Sequence, residues 1–182
     1  MSGILILLAQ GFEEIEAITV IDLLRRAGIE VTTASLTGDM MVTGSHNVTI
    51  KADVILDKVE VDDFDGIFLP GGQPGSKNLK ENSGVLDLLR LFNEQRKWVT
   101  AICAAPLVLK EAGIISGKHI TSYPATKEAF KPQFYREESV VTDGHIITSR
   151  GVGTAIDFSL TLIEIFKGKE ERVKQAERIL WK

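Results

Sequence analysis

The chain has one cysteine, Cys103, so no disulfide can close within it, and any function of this sulfur is that of a thiol. Basic residues are scarce relative to acids: 21 Lys and Arg against 25 Asp and Glu leave a formal net charge of -4. A surface built for a duplex or an anionic membrane carries a basic surplus, so nucleic-acid and membrane partners are disfavoured. The apolar run at 4–8 is far short of the ~20 residues a spanning helix needs. No basic segment precedes it, so a secretory leader is not expected and a cytoplasmic protein is. Neither a phosphate-binding G-K-[ST] nor a full G-x-G-x-x-G is present; GVGTAI after Arg150 lacks the third glycine, which disfavours dinucleotide binding. Repeats, low-complexity tracts and linkers are missing as well.

What remains is ordinary globular material. Hydrophobic residues make up 44% and charged residues 25% of 182 positions. That suits one domain, 1–182, large enough to bury roughly 70% of its unfolded surface without a disulfide or metal.

Strand-like and helix-like patterns alternate along the chain. Residues 4–8 read as a strand covered on both faces. Residues 14–27 carry Ile15, Ile18, Ile21, Leu24 and Ala27 at helical spacing and stop at Gly28, and 30–36 reads as a second strand. This β-α-β opening predicts a parallel sheet. Residues 38–62 suggest short strands in a hairpin or excursion. Then come a strand at 66–69, a helix from Asn82 or Ser83 through Gln95, a strand over Trp98–Ile102 and a helix over 104–112 with Pro106 in its first turn. A short strand is predicted at 119–122 and a helical turn at 126–130. Asp143-Gly144 predicts a hairpin between 139–142 and 145–150. Helices over 154–166 and 169–182 close the chain, the last with Val173, Ala176, Ile179 and Leu180 spaced for packing. The expected fold is α/β, a three-layer sandwich around a mostly parallel sheet. Ligands bind such sheets beyond the carboxyl ends of the strands.

The segment WVTAICAAP draws attention at that edge. A buried strand runs into Cys103 and a helix follows at once, with Ala101, Ala104 and Ala105 around the sulfur position. A sharp strand-to-helix turn needs such small neighbours, as in a nucleophile elbow. A thiolate there would feel the helix dipole, ~0.3–1 kcal/mol and up to ~2, or about one pKa unit. A hydrogen bond from a donor adds roughly 1.5–3 kcal/mol. The alternative is a buried, inert cysteine. Candidate donors lie in AQGFEEIE. Glu13 and Glu14 suit solvated partners of a helix N-terminus, whereas Glu16 lies near the apolar face; buried there, it would stay protonated and donate. The third loop, Leu69-Pro70-Gly71-Gly72, is either a tight turn or, with the amide of Ala104, an oxyanion hole.

GFEEIEAITVIDLLRRAGIEVTTAS, LPGG, AICAAP and TSRGVGTAIDFSL, in this order over nearly the whole chain, resemble the ThiJ/PfpI superfamily, in particular its DJ-one branch. The resemblance implies a flavodoxin-like sandwich and a homodimer. It implies Cys103 as nucleophile, Glu16 protonated against its sulfur, and Gly72 and Ala104 as oxyanion amides. Gly71, Tyr123, Arg150, His46 and Arg26 would line the pocket. The implied chemistry needs no cofactor and no metal: glyoxalase or deglycase action on methylglyoxal, glyoxal or their adducts. The alternative is an oxidative-stress sensor or redox-dependent chaperone in which the cysteine becomes a sulfinate. Several positions depart from the pattern. Tyr123 stands where several relatives carry a histidine. Ala104 replaces the histidine of protease-like relatives, and no His-x-Glu pair of an amidotransferase is present, so both of those activities are disfavoured. His46 replaces an arginine of the dimer-side pocket, to which Arg26 contributes a second, and Val152 stands where a proline is common.

Overall fold

The computed structural model describes residues 3–182. Its strands are β1 (Gly3–Leu8), β2 (Val31–Ser35), β3 (Met41–Thr43), β4 (Thr49–Lys51), β5 (Val54–Ile55), β6 (Phe64–Leu69), β7 (Trp98–Ile102), β8 (Val140–Asp143) and β9 (Ile146–Ser149). Its helices are α1 (Glu14–Arg26), α2 (Gly75–Glu81), α3 (Ser83–Glu94), α4 (Pro106–Glu111), α5 (Ala155–Lys167) and α6 (Lys169–Arg178). Seven strands form the central sheet in the order β5-β2-β1-β6-β7-β9-β8. Only β8 runs antiparallel, joined to β9 by the expected turn at Asp143-Gly144.

Period-2 alternation along β1 explains the three layers. Ile4, Ile6 and Leu8 pack on one face with Ala17, Val20 and Leu24 of α1 and Phe158 and Leu162 of α5. Leu5 and Leu7 face the other way, into Val85, Leu89 and Phe92 of α3 and Val108 and Leu109 of α4. A strand covered on both sides has no polar face to alternate with, hence its unbroken apolar run. Asn82 caps α3 by accepting the amide of Val85.

Several elements differ from their sequence signals. In α1 the buried apolar residues are Ala17, Val20, Leu23 and Leu24, while Ile15 is 54% and Ile18 41% exposed. Ile15 and Ile18 therefore look outward, whereas Ile21 packs against the core and Leu24 and Ala27 are buried in it. Helix α4 starts only at Pro106, and α2 carries no apolar periodicity that would have revealed it. Residues 119–122 make a single bridge, Ile120 to Tyr135, rather than a strand. Helix α6 ends at Arg178; Val173 and Leu180 are exposed, and Gln175 is the side chain it buries fully. The excursion after β2 is the antiparallel β3–β4 hairpin, and β5 returns to the sheet edge beside β2.

Strand order reverses beside β1, which is flanked by β2 on one side and β6 on the other. Loop 9–13 after β1 and loop 70–74 after β6 pack on each other there, the Glu13 amide donating to Gly71 O at 2.9 Å and the Gly75 amide to Gly11 O at 3.1 Å. Strand β7 delivers Cys103 beside them, at the carboxyl ends of the strands where such sheets bind ligands.

Candidate active site

Cys103 is held in the left-handed region at φ 63°, a conformation costing of order 1–3 kcal/mol for a residue with a side chain. Hydrogen bonds at both ends of the residue keep it there. Its amide donates to Ser149 O at 3.0 Å, and its carbonyl accepts the amide of Tyr123 at 2.8 Å. The sulfur is thereby turned toward loop 70–74, where the amides of Ala104 and Gly72 donate to it.

Glu16 reaches the same point from the first turn of α1 and is 0% exposed. Its carboxyl group hydrogen-bonds the Cys103 sulfur. Oε2 accepts the Gly71 amide at 2.8 Å, while Oε1 is buried with no protein partner. Gly71 is required where it stands: a Cβ would lie 2.6 Å from both Cys103 Cβ and Glu16 Oε2. Gly72, at φ 91°, lies so close to loop 9–13 that a Cβ would meet the Glu13 nitrogen at 2.4 Å. The glycine pair is thus a close-approach device, which the bare sequence left open between a turn and an anion cradle.

The electrostatics assign one proton to two groups. Burial pushes Glu16 up to about 7, against the opposing hydrogen bond from Gly71. Burial, and then the charge of Glu16 when it is ionised, pushes Cys103 up to about 12. An ionised Glu16 therefore keeps the sulfur a thiol. When the proton sits on Glu16 the repulsion vanishes, and the amides of Ala104 and Gly72 favour the thiolate. The helix dipole expected at this turn contributes little, because α4 has six residues and begins three positions after Cys103. Direct amide donation takes its place.

Glu13 and Glu14 are not solvated. They are 7% and 6% exposed. Glu13 caps α1, accepting the Glu16 amide at 2.7 Å. Glu14 accepts the His46 amide at 2.6 Å and lies 3.0 Å from His46 Nδ1. Burial alone would raise Glu14, but the side-chain and backbone hydrogen bonds of His46, with those from Glu14 and Val48, outweigh it and hold the group at about 2. Among the described residues, Glu13, Glu14 and His46 also have ligand atoms close enough, within 4.8 Å, to share a metal ion. Their oxygens are already engaged by Glu16, Ser45, His46 and Val48.

The other pocket candidates spread out. Tyr123 stands at the mouth, 49% exposed. His46 joins Glu14 rather than the sulfur. Arg150 donates to Glu137 O at 2.9 Å. Arg26 pairs with Asp22 and lies ten residues along α1 from Glu16, about 15 Å at 1.5 Å per residue, so within one chain it does not join the cluster. A residue not singled out beforehand does: a Cβ on Gly151 would lie 3.6 Å from Tyr123 Cδ2, 3.8 Å from Glu16 Oε1 and 3.9 Å from Cys103 Sγ. Gly151 leaves the space in front of the sulfur open. Its signal was its place two residues after the β9 strand.

The model of the DJ-1/PfpI family matches residues 2–165. The chain belongs to this family. It is 45% identical to the protein dj-1beta of Drosophila melanogaster, over 97% of this chain and 95% of the fly protein. It is 30% identical to a protein of Pyrococcus abyssi named a deglycase, over 90% of this chain and 99% of that one. The structure of oxidized DJ-1 from Toxoplasma gondii superposes with a TM-score of 0.96 at 36% identity, covering 100% of this chain and 99% of the other. The flavodoxin-like sandwich expected from the sequence is the fold these family members share.

Proposed function

We propose that this DJ-1/PfpI family member is a cysteine-dependent glyoxalase or deglycase that needs no cofactor. The observation carrying the reading is a fully buried carboxyl group, raised to about 7, in contact with a nucleophile whose sulfur also receives two backbone amides. The reactive form has its proton on Glu16 and the charge on Cys103. The sulfur adds to the aldehyde carbon of methylglyoxal, and the new alkoxide takes over the amides of Gly72 and Ala104 before receiving the Glu16 proton. The Glu16 carboxylate then removes the carbon-bound hydrogen of the hemithioacetal and returns a proton to the neighbouring carbon. This leaves a lactoyl thioester, and water releases lactate and restores the thiol. Adducts of dicarbonyls with amines or thiols present the same carbon, and a relative named a deglycase supports including them. Tyr123 offers no imidazole for activating water, so the final hydrolysis is slow.

The same geometry supports a second reading, a redox sensor or redox-dependent chaperone. A lone thiol has no resolving cysteine, so oxidation proceeds stepwise to sulfenate and sulfinate, and the amides and Glu16 would hold the new oxygens. A homodimer, which the family resemblance implies, belongs to the same proposal; the exposed Ile15 and Ile18 of α1, with Val48, support it.

Methylglyoxal consumption by the protein and by Cys103→Ala tests the first reading. The variant is expected to fall to the buffer rate; equal consumption by both overturns it. Intact mass after mild peroxide tests the second, which predicts gain of two oxygens on Cys103 and is overturned by an unmodified chain.

A further inference from the structure

Away from Cys103, a cavity of about 500 Å³ opens between the end of α4 and the 3-10 turn at Pro124–Ala129, within the roughly 300–1,000 Å³ range of small-ligand sites. Its apolar wall is Ile115, Ile120, Phe130 and Phe134. Three lysines, Lys110, Lys118 and Lys131, stand around it against one carboxylate, Glu128. On a chain of net charge -4, this is a local reversal of sign.

The lysines are not equally committed. Lys118 holds Asp143 at 3.0 Å. Lys110 donates to the Ala129 carbonyl at 2.6 Å and has no acid of its own. Lys131 pairs with no acid among the described residues. Two ammonium groups without counter-ions thus border an apolar hollow, a pairing that a purely structural cleft does not need. We propose that this cavity binds a small hydrophobic monocarboxylate, with its apolar body against Phe130 and Phe134 and its carboxylate between Lys110 and Lys131. The site does not include Cys103, Glu16, the glycine loop or Tyr123, so it stands whether or not the proposed catalysis does.

The test is titration of the intact protein with octanoate and with 2-naphthoate, followed by calorimetry and amide NMR. At least one is expected to saturate below about 1 mM, with shifts confined to 110–134. Octan-1-ol, which keeps the chain and loses the charge, is expected to bind about tenfold more weakly, as is octanoate to Lys131→Glu. Lys131 is exposed and makes no fold contact through its ammonium, so this variant remains folded, which its thermal melt checks. The proposal is overturned if neither acid saturates, if the alcohol binds as tightly as the acid, if Lys131→Glu is unaffected, or if the shifts map elsewhere. Deuterium-exchange protection of 113–134 that rises with protein concentration, without ligand, would make the cavity a contact between copies and overturn it equally.

Discussion

Glu14 and Glu16 lie two residues apart in the first turn of α1, and both are buried. Glu14 is held at about 2 and Glu16 is raised to about 7. Burial pushes both upward, and far more strongly at Glu16, which is set deeper. Donors widen the separation. Glu14 collects the backbone and imidazole of His46, the Val48 amide and the Ser45 hydroxyl. Glu16 has one amide on one oxygen, nothing on the other, and a sulfur as its remaining neighbour. One glutamate is an anion that anchors the β3–β4 hairpin to the helix; the other is an acid that can exchange its proton with Cys103. Carboxyl groups two residues apart are driven apart by depth together with the number of donors each one collects.

The sharpest way to break this contrast is Glu16→Gln. It removes the carboxyl proton but keeps a donor, and dicarbonyl turnover is expected to fall by ~10²–10⁴, the range for losing a general acid–base group. Thiol alkylation should respond in the opposite sense: without the Glu16 charge the thiol titrates at lower pH than in wild type, and Cys103 is alkylated faster above pH 7. Stability changes with it. Folded Glu16 binds its proton more tightly than the unfolded chain does, so its contribution is complete below pH 4.5 and is lost as pH rises through about 7. Urea midpoints between pH 4 and 8 should show wild type losing up to about 3 kcal/mol that Glu16→Gln does not lose. Parallel pH curves for the two proteins would contradict the assignment.

Gly71→Ala probes the contact rather than the proton. The added methyl meets Cys103 Cβ and Glu16 Oε2, and one partner must move. A loss of roughly 1–3 kcal/mol is expected from overpacking, together with slower alkylation of the sulfur. Unchanged stability and alkylation would mean that the two groups are not pressed together. The smallest effect is expected from Glu14→Gln, which keeps the shape and removes the anion. Folded Glu14 is depressed, so its contribution is present above pH 4.5 and lost as pH falls through about 2. The variant should unfold with a flatter acid limb and leave Cys103 alkylation unaltered. A change in thiol reactivity would show that the two glutamates act as one unit.

How much of this was readable beforehand differs by element. The strands around β1, β6 and β7 were plain, since a two-sided sheet demands continuous apolar runs. The cysteine elbow was plain too, because its small neighbours are adjacent in sequence. Helix α1 was correctly placed and its buried face only in part. Of the residues at helical spacing, Ile21 packs against the core and Leu24 and Ala27 are buried, while Ile15 and Ile18 look outward and Ala17 and Val20 face the sheet instead. Residues 119–122 look β-forming, yet they are used as a strap whose end, Tyr123, holds the Cys103 carbonyl.

Local chemistry therefore decided the class of fold, the family and the elbow that carries the one cysteine, because runs, turns and small residues act over a few neighbouring positions. Tertiary structure decided which glutamate is raised, that Gly71 lets Glu16 and Cys103 press together while Gly151 leaves space in front of the sulfur, and that two lysines border an apolar hollow away from it. Protonation and cavity shape depend on groups brought together from distant parts of the chain, and their balance of desolvation against hydrogen bonds exists only once those parts have packed.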